Sequence, residues 1–130
     1  MRAALILVVP AMIFSSAALA ADQMTLRCRG WTKLTRPSGS MDSGLSEEYR
    51  IDLKEKKWCR GKCERIRPLI GFGESWMTLA EYDGTTFKER IRIDRRTGKL
   101  IEDHTAGDEV RRSELTCTAE PFKPFPKPLF

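Results

Sequence analysis

The feature that most constrains the fold of this chain is the alternation of apolar and charged side chains along short segments. Tyr49, Ile51 and Leu53 alternate with Arg50 and Asp52. In a β-strand this spacing places the three apolar side chains on one face and the charged ones on the other. No segment shows the convincing three-to-four-residue spacing of an amphipathic helix. The pattern therefore predicts an all-β domain.

Similar runs predict the remaining strands, at residues 24–30, 66–72, 76–82, 87–93 and 115–119. Pro68 has no amide hydrogen to donate, so its strand is expected at a sheet edge or a bulge. Glu89 is an exception to the pattern of its strand, because it falls on the apolar face.

Turn residues indicate how these strands connect. Asp83-Gly84 is typical of a tight hairpin turn, and Gly98 suits the left-handed position of a longer hairpin loop. Residues 36–46 are rich in Pro, Gly and Ser and lack apolar periodicity, which predicts a mobile loop. Successive hairpins of this kind predict an antiparallel meander that curls into a small barrel or half-barrel.

The N-terminus is typical of a secretory signal peptide. Arg2 precedes an apolar run, and Ala18-Leu19-Ala20 has the small-x-small pattern of a cleavage site. No cluster of basic residues follows the run as a stop-transfer segment, so no stable membrane span is expected after cleavage. We therefore expect a signal peptide at residues 1–20, a single β domain at 21–120 and a periplasmic or secreted mature protein.

Four cysteines lie in the mature part, and an even count in a small exported domain predicts disulfide bonds. Four cysteines allow three pairings. Cys28 and Cys117 each follow a leucine by two positions in a predicted strand, which favours a Cys28–Cys117 bridge between the first and last strands. Cys59 and Cys63 would then close a short loop, so two disulfide bonds would crosslink the domain.

Two other interpretations of the cysteines remain open. The Cys59–Cys63 pair could be redox-active, although three residues separate its thiols instead of the two of the thioredoxin pattern. The same pair could bind zinc with His104, which would require a fourth ligand. We expect no cofactor.

The charge of the chain argues against nucleic acid as a partner. The formal net charge of +5 falls to +4 when Arg2 is removed with the signal peptide. This charge is mild and spread over both signs, unlike that of a dedicated nucleic-acid-binding protein.

A local basic cluster is the best candidate binding site. Its members are Lys54, Lys56, Lys57, Trp58, Arg60, Lys62, Arg65 and Arg67, with Glu55 and Glu64 among them. A disulfide-closed loop would present these cations rigidly beside an aromatic ring. Such a surface suits an acidic protein or an anionic envelope component, such as a phosphorylated glycan or a lipid head group. A loop whose charges only keep a sheet edge soluble is the alternative.

The residues for catalysis are few. His104 is the only histidine, and no nucleophile motif surrounds the serines. Glu47-Glu48 and Asp108-Glu109 could be paired carboxylates for sugar hydrolysis, but acids beside charged loops are usually solvated. We therefore expect a non-enzymatic protein.

Aromatic residues suggest an alternative function and a distinct C-terminal segment. Trp31, Phe72, Trp76 and Phe87 could line an interior that carries a small apolar ligand. Residues 121–130 alternate proline with apolar and basic residues and predict an extended tail. Its phenylalanines are expected either to fold back over an open barrel end or to dock into an aromatic groove.

The sequence resembles small exported β-rich proteins of Gram-negative bacteria with no assigned activity. The resemblance rests on the export pattern, the Leu-x-Cys-x-Gly motif that begins at Leu26, residues 94–98 and a cysteine in the last strand. It implies a location and a fold, and it brings no catalytic residues. In size and architecture the chain is also similar to periplasmic lysozyme inhibitors, whose inhibitory loop motif it lacks.

Overall fold

The computed structural model describes residues 21–127, which form nine strands and no helix. The predicted signal peptide and the last three residues of the predicted tail lie outside this range. The strands are β1 (Gln23–Arg36), β2 (Gly39–Asp52), β3 (Lys57–Arg60), β4 (Arg67–Pro68), β5 (Gly71–Phe72), β6 (Trp76–Asp83), β7 (Phe87–Asp94), β8 (Lys99–Ala106) and β9 (Glu109–Glu120).

The nine strands form one antiparallel sheet that curls into a half-barrel. Their order is β4-β3-β2-β1-β9-β8-β7-β6-β5, so hairpin neighbours lie side by side and β1 pairs with the last strand. The prediction of an all-β meander is confirmed. The described part of the chain contains no helix with the length and apolar character needed to cross a membrane.

Both predicted disulfides are present. Cys28 lies directly opposite Cys117 in the β1–β9 ladder, and the two sulfurs are bonded. Cys59 is bonded to Cys63 across a short loop after β3. No described cysteine is free, and two disulfides are consistent with an oxidising environment outside the cytoplasm.

A single hydrophobic core fills the inner face of the half-barrel. Strand alternation turns one side chain in two toward it, as in β7, where Ile91 and Ile93 are buried and Arg90 and Arg92 are exposed. The largest buried core side chains are Met24, Leu26, Tyr49, Ile51, Trp58, Met77, Leu79, Ile91, Ile93, Leu100 and Leu115. The protein's own side chains therefore occupy the interior.

The two edges of the sheet are joined by residues 67–72, which we call the seam segment. It contains β4 at one edge and β5 at the other, so the chain crosses from edge to edge within a few residues. The amide of Leu69 donates to the carbonyl of Lys56, and the amide of Ile70 donates to the carbonyl of Thr78. The sequence predicted one strand over residues 66–72, which is wrong, although Pro68 does lie in an edge strand.

The seam is also bridged from inside by Trp58. Its indole Nε1–H donates to the carbonyl oxygen of Leu79 at 2.8 Å and to that of Pro68 at 3.2 Å. Leu79 lies at an irregularity of the β6–β7 register, between Thr78 and Ala80. A bulge bends its strand and frees a backbone group from the ladder, which explains why this carbonyl is available to the indole.

The predicted mobile loop at residues 36–46 is instead part of a long hairpin. β1 and β2 pair from Gln23 opposite Asp52 to Arg36 opposite Gly39, and only residues 37–38 form the turn. Most side chains in residues 36–46 are exposed, so no apolar alternation marks them. The backbone pairing extends them nonetheless, because β1 is itself supported by β9 as far as Thr35 opposite Val110.

The two predicted hairpin turns are present. The amide of Gly84 donates to the carbonyl of Phe87 at 2.9 Å and closes the β6–β7 turn. Gly98 adopts a left-handed φ of 75° between β7 and β8. A Cβ at Gly98 would lie 2.5 Å from the carbonyl oxygen of Cys117, so the turn requires glycine there for two reasons.

The C-terminal segment returns along the outer face of β1, β2 and β3. The amide of Lys123 donates to the hydroxyl of Thr25 at 2.9 Å, and Arg50 donates to the carbonyl of Pro124 at 2.9 Å. Phe122 and Phe125 contact each other edge to face. The tail therefore covers the outside of the sheet and not an open barrel end.

Candidate anion-binding site

The loop closed by Cys59 and Cys63 is held in a defined shape. Gly61 and Cys63 have left-handed φ angles of 61° and 57°. The amide of Gly61 donates to the carbonyl of Glu48 at 2.8 Å, and the amide of Cys63 donates to that of Arg60 at 3.1 Å. Together with the disulfide, these bonds fix the loop against the end of β3.

A cleft with a volume of about 460 Å³ opens beside this loop. Four basic side chains and two acidic ones contribute to its walls. The lining residues are Trp58, Arg60, Lys62, Glu64, Arg65, Arg67 and Glu89. We call this the basic cleft. It brings together four of the six residues that the sequence predicted as a binding site, namely Trp58, Arg60, Lys62 and Arg65.

The other two predicted binding residues lie elsewhere. Lys56 is exposed in the turn before β3, with a left-handed φ of 54°. The Lys57 ammonium lies 2.7 Å from the Glu55 carboxylate and 4.9 Å from the centre of the Phe125 ring. Lys57 therefore holds the tail on the outer face of the sheet, because its strand position alternates with that of Trp58.

Trp58 contributes to the wall of the cleft but is almost fully buried. Only 1% of its surface is accessible, and its ring packs in the core against Tyr49. The guanidinium of Arg67 lies 4.7 Å above the ring centre, between the indole and the cleft. The Trp58 ring therefore lies beneath the Arg67 guanidinium, which limits the contact of the ring with a ligand.

Two ion pairs with acids from distant strands hold two of the three arginines of the cleft, Arg60 and Arg67. Arg60 Nη1 lies 3.1 Å from a carboxylate oxygen of Glu102, which is almost fully buried. Arg67 makes a bidentate pair with Glu89, which is also buried. The sequence analysis noted Glu89 on an apolar face without finding its partner, and it missed Glu102, which likewise lies on the buried face of its strand, two positions after Leu100.

Burial and charge shift the ionisation of the groups around the Arg60–Glu102 pair. Burial alone would lower the pKa of Arg60, but the Glu102 carboxylate raises that pKa above its ordinary value. Burial raises the pKa of Tyr49 to about 12, and the negative charge of Glu102 adds to the rise. Arg60 therefore stays charged, and the buried Tyr49 hydroxyl stays neutral over the ordinary pH range.

Lys62 and Arg65 are the cations of the cleft that remain available. Both are exposed, and neither forms an ion pair with another residue in the described range. They flank the two arginines whose positions are fixed by buried carboxylates. The cleft can therefore place several N–H donors around one anionic group, which favours the binding of phosphate or carboxylate.

The other residues that the sequence offered for catalysis or metal binding are distributed over the surface. His104 packs edge to face on Phe87, with 4.8 Å between ring centres. Glu48 lies beside Lys123, and Glu109 accepts from Arg36 at 2.9 Å, so each predicted acid pair has one member engaged by a cation. Within residues 21–127 no group of three or more His, Cys, Asp and Glu side chains is arranged to hold a metal ion.

The aromatic residues expected to line an interior do not do so. Trp31, Phe72 and Trp76 are 41–42% exposed, and Phe87 is half-buried. The predicted ligand lining is therefore wrong, since three of the four rings are exposed and other side chains already fill the core. Strand spacing alone could not show that these rings are exposed, because the outer face of the sheet also carries aromatic residues at that spacing.

Comparison of the chain with protein-family models, with curated proteins and with solved structures finds no match.

Proposed function

We propose that this protein is an exported, non-enzymatic binding module whose basic cleft holds an anionic group of an acidic protein or an anionic envelope component. The observation that carries the proposal is the placement of Lys62 and Arg65, unpaired and exposed, beside Arg60 and Arg67, which buried acids hold in place. A preorganised set of donors loses less conformational entropy on binding than mobile lysines do.

Export is supported by the N-terminal pattern and by the two disulfides. Binding instead of catalysis is supported by the residues of the cleft. Its lining contains no histidine, serine or free thiol, and its two carboxylates lie among four cations. The carrier alternative loses its main support, because its aromatic residues are on the surface.

Charge reversal tests the proposal directly. The variant Lys62→Glu/Arg65→Glu changes the cleft without touching a buried ion pair, so it should fold normally. Lys54→Glu/Lys56→Glu is the matched control, because it makes the same change of charge in the exposed turn outside the cleft. The probes are phosphatidylglycerol vesicles and poly-glutamate, with phosphatidylcholine vesicles as the neutral reference.

We expect the wild-type protein to bind one of the two anionic probes at low salt and to release it as salt rises, because exposed charges are screened. The cleft variant should bind that probe at least about tenfold more weakly, a loss of about 1.4 kcal/mol. Equal losses in both variants would show that net charge alone is responsible and would contradict the proposal. Absence of binding to both probes would contradict it as well.

A further inference from the structure

A second groove, with a volume of about 470 Å³, lies on the outer face of strands β6 to β9. It is separate from the basic cleft, with which it shares no lining residue. Its lining is Ser75, Trp76, Arg90, Arg92, Ile93, Asp94, Arg96, Lys99, Ile101, Asp103 and Arg112. We call it the outer groove, and neither the disulfide loop nor the tail contributes to it.

Strand register explains why these side chains meet. Arg92 lies opposite Ile101, Ile101 opposite Glu114, and Glu114 opposite Trp31, so one row crosses four strands from β7 to β1. Side chains in one row of a sheet project from the same face. The neighbouring row contains Arg90, Asp103 and Arg112.

Trp76 forms one end of the groove and is held there. Its indole lies over the β5–β6 turn, where a Cβ at Gly73 would come within 2.8 Å of Nε1. The Arg92 guanidinium lies 5.5 Å from the ring centre, a cation–π contact. With 41% of its surface exposed, the tryptophan still offers ring surface to a ligand.

Trp31 offers a second exposed ring on the same face, at 42% accessibility. It belongs to β1, and Trp76 belongs to β6, with three strands between them. At the usual strand spacing the two backbones are about 19 Å apart along the curved sheet. A ligand that touches both rings must be extended and several units long.

Positive charge dominates the outer groove. Its lining contains five cations and two carboxylates. Arg112 is paired with Asp103 at 2.8 Å, and Arg96 lies 3.8 Å from Asp94. Among residues 21–127, Arg90 and Arg92 have no carboxylate partner. Two guanidinium groups are therefore free to form forked hydrogen bonds with an incoming carboxylate.

We propose that the outer groove binds a linear oligosaccharide that carries carboxylate groups. Arg90 and Arg92 bind its carboxylates, Asp94 and Asp103 accept hydrogen bonds from its hydroxyls, and Trp76 stacks against the apolar face of a sugar ring. Each aspartate is paired with a neighbouring arginine and keeps lone pairs for further donors, which the hydroxyls of a sugar supply and a purely anionic ligand does not. The proposal stands apart from the proposed function, because it uses the opposite face of the sheet.

The test uses the purified protein, hexagalacturonate as the probe and cellohexaose as a neutral hexasaccharide, with titration calorimetry as the measurement. We expect hexagalacturonate to bind and cellohexaose to bind much more weakly. Trp76→Ala and, separately, Arg90→Ser/Arg92→Ser should each reduce the affinity for hexagalacturonate by roughly tenfold. The arginine variant keeps the test valid if the loss of Trp76 disturbs the turn.

Lys62→Glu/Arg65→Glu, which alters only the basic cleft, is the matched control and should bind hexagalacturonate as the wild type does. Equal binding of the neutral and charged hexasaccharides, or no binding of either, would overturn the proposal. A hexathymidylate that binds at Trp76 and Arg92 while hexagalacturonate does not would overturn it in favour of a single-stranded nucleic acid.

Discussion

The indole nitrogen of Trp58 lies 2.8 Å from the carbonyl oxygen of Leu79, although the two residues belong to strands on opposite flanks of the half-barrel. The same N–H reaches Pro68 at the other side of the seam segment. One buried donor thus connects the two edges of an open sheet. The curvature of the sheet therefore depends on a side chain that is central to its core.

Trp58→Phe is expected to destabilise the fold by about 3 kcal/mol, because it leaves the buried carbonyl of Leu79 and the partly buried carbonyl of Pro68 without this donor and removes part of a packed ring. Chemical denaturation measures this loss. Trp31→Phe is the control, since Trp31 is half-exposed and should change stability by less than about 0.5 kcal/mol. Similar losses in the two variants would show that the hydrogen bond across the seam contributes nothing.

Removal of the Cys28–Cys117 bridge is expected to cost more than removal of Cys59–Cys63. The first closes a loop with a sequence separation of 89 and the second one of 4. Because each bridge restricts the unfolded chain, the expected stabilisation is about 4–5 kcal/mol for Cys28–Cys117 and roughly 2 kcal/mol for Cys59–Cys63. Urea denaturation of the two double-alanine variants measures the loss in the free energy of unfolding for each bridge. A larger loss for the Cys59–Cys63 variant would contradict this prediction.

The Arg60–Glu102 pair is expected to behave as a buried unit. Arg60→Met should cost about 3 kcal/mol, because it leaves the Glu102 carboxylate buried without its closest cation. Adding Glu102→Leu should recover most of this loss, which a double-mutant cycle measures. The recovery would be absent if the carboxylate were in fact well solvated.

The pair of Arg36 and Glu109 provides the control for that cycle. Their contact is shorter, at 2.9 Å, but the two side chains are 54% and 40% exposed. Water therefore screens the attraction, and Arg36→Met should change the free energy of unfolding by less than about 1 kcal/mol.

Alkaline pH should weaken the fold through Tyr49. Burial raises its pKa to about 12, from an ordinary value of 10.0. Between those values the unfolded chain loses the phenolic proton and the folded chain retains it, so the stabilising contribution is complete below pH 10 and is lost as pH rises to about 12. Denaturation midpoints measured across this range should fall.

The variant Tyr49→Phe should not show this fall of the denaturation midpoint at alkaline pH. The hydroxyl of Tyr49 is buried and forms no well-aligned hydrogen bond among the described residues, although Arg60 lies close enough to act on its ionisation, so the variant should be about as stable as the wild type at neutral pH. Tyr82→Phe is the control, because Tyr82 is 58% exposed and its loss should leave the alkaline decline intact. A decline that persists in Tyr49→Phe would assign it to other groups.

Alternation predicted strands well where one face was buried and the other charged. β7 was predicted at residues 87–93 and found at Phe87–Asp94, because buried isoleucines alternate with exposed arginines there. The long β1–β2 hairpin was missed at residues 36–46, since both its faces are largely exposed and no apolar period exists. Backbone pairing alone specifies that part of the sheet.

The candidate site could be predicted only in its surface residues. Lys62 and Arg65 are recognisable from local charge. Glu89 and Glu102 act through partners 22 and 42 residues away, and a local pattern cannot show such contacts. Trp58 was predicted as a binding residue from its basic neighbours, and local charge does not show that strand alternation turns its ring into the core.

The position of β1 between β2 and β9 determines when the protein can acquire its final form during synthesis. The first strand of the described residues pairs on one side with the last of them. Until Glu109–Glu120 has left the ribosome, one side of β1 has no partner, and Cys28 has no Cys117 to meet. Contacts so distant in the chain form slowly. One edge of β1 therefore stays unpaired until β9 has been made.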